Sequence, residues 1–147
     1  MDVLQFSDSP SNVIRPEIHV AELNQVHHFL ETLTASTATH KVLTIKSPDG
    51  QAKVFLEPSS GVLNIFPVMG AASKENDVIK FFAAKSIVPS VDYEVGQQGM
   101  TTRILGFALG SSLAEISAIV VSLFQAVFEL EADVEVEFSV FQVADAG

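Results

Sequence analysis

The chain contains no cysteine, which excludes disulfides, thiol catalysis and thiolate metal sites from the outset. It is also poor in positive charge: 8 Lys and Arg stand against 18 Asp and Glu, for a formal net charge of -10. That balance repels phosphate backbones and anionic headgroups, so neither nucleic acid nor a membrane surface is expected as a partner. Neither Gly-x-Gly-x-x-Gly nor a P-loop occurs, and no Ser/His/Asp arrangement is legible. Gly96-Gln97-Gln98-Gly99 is not followed directly by a helix and reads as a turn. The expectation is a protein with no catalysis, cofactor or metal of its own.

Charge is scarce locally as well. Residues 104–128 carry a single charged side chain, Glu115, and no Lys or Arg follows Arg103. The run is long enough to test as a membrane span. Glu115, the Gly110-Ser111-Ser112 break and the missing basic anchor all argue against one. From Leu113 onward it reads as a helix apolar nearly all the way round, and such a helix must be covered on every side. The first ten residues lack both a basic start and an apolar core, so no signal peptide is expected, and a cytoplasmic location is inferred.

What remains is a chain of 147 residues, 48% of them apolar, enough for one domain with a real core. Residues 1–16 are polar and read as a flexible arm, leaving residues 17–143 as a single domain. Leu23, Val26, Phe29, Leu30 and Leu33 recur at helical spacing and predict a helix over residues 17–35. The β-branched run from Val42, the turn Ser47-Pro48-Asp49-Gly50, residues 52–57, the turn Pro58-Ser59-Ser60-Gly61 and residues 62–68 predict a three-stranded meander. Pro67 cannot donate to a ladder, so the third strand is expected to end there or to lie at an edge. Ser73 can cap a second helix over residues 74–86. Residues 91–95 and 100–109 flank the Gly96–Gly99 turn as a second hairpin. Ser112 and Glu115 form a Ser-x-x-Glu capping box that opens the third helix, which is expected to stop near residues 129–133. Val134, Val136 and Phe138 alternate with Glu135, Glu137 and Ser139 as an additional last strand, over residues 134–143. The expected architecture is two-layer α+β, with helices packed on an antiparallel sheet in the order αβββαββα plus that terminal strand.

This order, in a small acidic chain without cysteine, resembles the type III secretion chaperones and related chaperone-like domains over residues 17–130. The two tight turns and the passage Thr102-Arg103-Ile104-Leu105-Gly106-Phe107-Ala108-Leu109 anchor the likeness. The resemblance implies a homodimer that holds an extended segment of a client protein, through apolar grooves and by strand addition. The terminal strand and the very apolar last helix depart from the pattern.

Val78 and Phe81 on the second helix, with Val121, Phe124 and Phe128 on the third, are where a dimer or partner seam is expected, because a two-layer domain has only one sheet face to hide both helices. Arg103 could grip a client carboxylate with its planar fork, but a structural pairing with Glu94 or Asp92 is favoured. His27, His28 and Glu31 could suggest a metal, yet two ligands one helical turn apart need others, and a polar helix shoulder is the preferred reading. Glu129, Glu131, Asp133, Glu135 and Glu137 read as a solvated strand face that discourages edge pairing. Two further function classes stand beside the chaperone-like one. One is an acidic immunity or inhibitor-type protein that blocks a basic enzyme; the other is a small-ligand-binding domain, which would need a pocket gathering Arg103, Tyr93 and a histidine.

Overall fold

A computed structural model describes residues 13–34, 40–50, 52–59, 61–69, 73–97 and 99–143. The chain forms strand β1 (Val13–Glu22), a 3-10 turn (Leu23–Gln25), helix α1 (Val26–Thr34), and strands β2 (His40–Lys46), β3 (Ala52–Ser59) and β4 (Val62–Met69). Helix α2 (Ser73–Ala83), the hairpin β5 (Val91–Gln97) and β6 (Met100–Ala108), helix α3 (Leu113–Ala126) and strand β7 (Glu135–Val143) complete it. All seven strands form one antiparallel sheet in the order β1-β7-β2-β3-β4-β6-β5. The fold is the two-layer α+β arrangement that the pattern predicts, enlarged by a strand at its start.

That first strand corrects two expectations. Residues 13–16, assigned to the arm, and residues 17–22, assigned to the first helix, are strand β1, paired along β7. Glu17-Ile18-His19-Val20 alternates with period two, and the helical spacing holds only from Leu23 onward, where Leu23, Val26, Phe29, Leu30 and Leu33 are all buried. Pro16 is tolerated because β1 is an edge strand, and the register shifts between Ile14 and Glu17. Residues 1–12 of the expected arm lie outside the described residues, as does the 35–39 stretch at the end of the expected first helix.

The turns follow their residues. Gly50 takes φ 74° and donates to the Ser47 carbonyl at 2.9 Å, while the Ser47 hydroxyl accepts from the Ala52 amide at 3.0 Å. The Ser112 hydroxyl accepts from the Glu115 amide at the start of α3, as the capping box requires. Helices α2 and α3 both end earlier than expected, at Ala83 and Ala126. Beyond them Ser86 and Glu129 turn the chain with positive φ. Strand β4 runs past Pro67 to Met69, contrary to expectation. Its paired residues against β6 are Asn64 and Ile65, so Pro67 lies beyond them and its missing amide breaks no bond of that ladder.

The core lies between one sheet face and the three helices. Phe138 of β7 stacks on Phe29 of α1 at 4.1 Å between centroids, and Phe107 of β6 stacks on Phe82 of α2 at 4.0 Å. Leu43, Ile45, Val54, Leu56, Leu63 and Ile65 fill the sheet side between these two stacks. Lys74 of α2 reaches the Val127 carbonyl at 3.0 Å and so ties the start of α2 to the end of α3.

Candidate protein-docking face

The five positions expected to form a helical seam divide. Val78 and Phe124 are wholly buried, which corrects their placement on a partner surface: they belong to this subunit's core. Phe81, Val121 and Phe128 are half-buried against that core. Phe81 lies edge-on to Phe82 under the Lys85 ammonium, and Phe128 tilts against Phe124 at 5.4 Å. The outward side of α3 is Ala114, Glu115, Ala118, Gln125 and Ala126. The apolar circumference read in the sequence thus ends in alanine, which leaves little surface to cover.

Apart from Val88 in the loop before β5, the apolar surplus lies on the other face of the sheet. The exposed large hydrophobic side chains among the described residues are Ile18, Val20, Val68, Val88, Tyr93 and Val95, and no helix contributes one. Side chains directly opposite in an antiparallel pair share a face. Thr44 pairs with Ser139 and with Phe55, and Phe55 pairs with Phe66, on the side away from the buried Leu43, Ile45, Val54 and Leu56. Ile18 extends this row on β1, and Gly106 and Val91 on β6 and β5. One uncharged row therefore crosses all seven strands, about 29 Å between the outer two.

Beside it run two further rows. Val20, Glu137, Lys46, Lys53 and Val68 lie on one side, with Phe141, Val42, Glu57 and Asn64 on the other. Ile104 and Tyr93 extend the first of these towards β5. The Lys46 ammonium is 3.8 Å from Glu137, and that of Lys53 lies 5.1 Å over the Phe55 ring. At the floor, the buried Thr44 hydroxyl has no hydrogen-bond partner. A sequence signal for this face existed: in β4, Val62, Phe66 and Val68 are as apolar as Leu63 and Ile65 on the opposite side. A strand apolar on both faces asks for cover on both.

Arg103 takes the structural role. It lies on the helix side of β6, where its Nε and a terminal nitrogen donate to Asp92 at 2.9 and 2.8 Å, with Glu75 of α2 at 3.7 Å. The guanidinium holds the Asp92 carboxyl below the ordinary aspartate value of 3.8 through that hydrogen bond, and Asp92 raises Arg103 in turn. Tyr93 pairs with Ile104 and Arg103 with Glu94, so Tyr93 and Arg103 point to opposite faces of the sheet and cannot line one pocket. His19 and His28 flank Phe29 near the other end of the sheet, and His27 and Glu31 are exposed. Among the described residues no three His, Asp or Glu side chains converge as a metal site. Of the acidic run, Glu135 and Glu137 point out from β7, which lies between β1 and β2. They guard no edge, contrary to expectation.

The two real edges differ. β1 is blunted by Pro16 and its irregular register, whereas β5 carries no proline and pairs with β6 alone. Its Tyr93 and Val95 are 54% and 42% exposed, and Val88, just before it, is 73% exposed. No helix among the described residues is long and apolar enough to cross a membrane. Comparison with family models, curated proteins and solved structures finds no match.

Proposed function

We propose that this chain is a non-enzymatic protein-binding module of the secretion-chaperone type: a cytoplasmic homodimer that holds an extended segment of a client protein. The observation that carries this reading is the β5 edge. Its backbone is paired on one side only, with no proline to blunt it, and Tyr93 and Val95 stand exposed on alternate positions. An added strand gains main-chain hydrogen bonds there while alternate side chains rest on Tyr93 and Val95. The exposed Glu94 faces the opposite side, so a client strand with Lys or Arg between its apolar residues fits best.

The test uses a permanently unfolded probe, a reduced and alkylated polypeptide carrying a fluorophore, read by anisotropy against the full chain. Micromolar binding that Tyr93→Glu and Val95→Glu each weaken at least tenfold, with unchanged circular dichroism, is the expected result. No binding, or binding indifferent to both substitutions, overturns the reading.

A further inference from the structure

We infer that the helix-free face of the sheet is where two copies of this chain meet. The inference rests on the homodimer proposed above and assigns its surface, which is neither the helix seam expected from the sequence nor the β5 edge. The first argument is charge. At a net -10 the chain repels its own copies over most of its surface. Within the three central rows of this face, Lys46 and Lys53 balance Glu57 and Glu137.

The second argument is self-complementarity. Lys53 and Glu57 lie on β3 one row to either side of Phe55. A two-fold axis along the uncharged row sets Phe55 against Phe55 of the second copy. It also brings Lys53 opposite Glu57 of that copy, twice by symmetry. Lys46 and Glu137 fall opposite the uncharged Val42 and Phe141 of the second copy, so they neither attract nor repel across the seam. Packed sheets rotate by about 30° relative to one another about their common normal, and residues near the centre of the face, as these on the fourth of seven strands are, move least.

Area agrees. With β5 left to the client, six strands at about 4.8 Å spacing and three rows at about 6.8 Å give a face of roughly 29 by 20 Å, or about 600 Å². Two such faces bury about 1,200 Å², the lower end of the standard interface range.

The experiment is molar mass in solution by light scattering on the full chain, with circular dichroism to confirm folding. Wild type is expected at twice the 15.8 kDa chain mass. Phe55→Glu is expected to be monomeric. Lys53→Glu and Glu57→Lys are each expected to weaken dimerisation at least tenfold, and the double reversal to restore it. Should Phe55→Glu not fold, the charge reversals still decide. A dimer indifferent to both reversals overturns this assignment and leaves client holding standing. A monomeric wild type overturns the dimer itself; if Phe55→Glu then abolishes probe binding, the face belongs to the client instead.

Discussion

The ring of Phe66 lies against the bare α-carbon of Gly106: a Cβ at residue 106 would come within 2.5 Å of Phe66 Cε2. Glycine lets the ring approach this closely across the β4–β6 seam, and any larger residue must displace it. Gly106→Ala must push the ring aside, and a cost of about 1–3 kcal/mol is expected in urea unfolding. In a Phe66→Ala background the same change is expected to cost far less. Additive effects of the two substitutions would refute the contact.

Thr44 presents the opposite case. Its hydroxyl is buried in the floor of the open face without a partner, a desolvation cost with no return. Thr44→Val keeps the β-branched shape and removes the oxygen. A gain of about 1 kcal/mol is expected, seen as a higher denaturation midpoint at unchanged slope. A loss of stability would mean that the hydroxyl has a partner after all.

Phe124 and Val121 separate core from surface on one helix. Phe124→Ala should cost about 3–5 kcal/mol, because a wholly buried ring leaves a cavity. Val121→Ala, at a half-buried position, should cost about 1 kcal/mol. Folded Val121→Ala is expected to keep the molar mass of wild type. If it alone breaks a dimer, the seam lies on the helix layer.

The Asp92–Arg103 pair fixes a pH dependence. Asp92 is lowered in the folded chain, so the pair's contribution is present above the ordinary value of 3.8 and is lost as pH falls through the lowered folded midpoint. Carbon-detected NMR titration should place Asp92 below 3.8, and Arg103→Gln should move it up. The stability difference between wild type and Arg103→Gln should be flat near neutrality and shrink on acidification. An Asp92 midpoint that ignores Arg103→Gln would break the assignment.

The local elements were legible because their causes are local. Pro48-Asp49-Gly50 makes its turn from its own torsions, Ser112 caps α3 from three residues away, and the Leu23–Leu33 spacing declares the buried stripe of α1. Strand β1 reads as helix because only four alternating residues, 17–20, precede that stripe, and periodicity carries no boundary mark. The candidate surface was misplaced for a different reason. Hydropathy counts Ala114, Ala118 and Ala126 as apolar, but alanine leaves little area exposed. Conversely, Thr44, Ser139 and Gly106 look unremarkable singly and become one uncharged floor only when three distant strands align.

By itself the sequence determined the α+β class, the turns, the caps and the acidity, since each depends on torsional preference or charge within a few residues. Tertiary structure alone decided that β7 threads between β1 and β2, that Val78 and Phe124 are core, and which sheet face stays open. Those outcomes depend on pairing between segments up to 130 residues apart, such as Val13 with Val143. Their register sets which side every outward residue takes, and a shift of one position would turn the oily row to the other face.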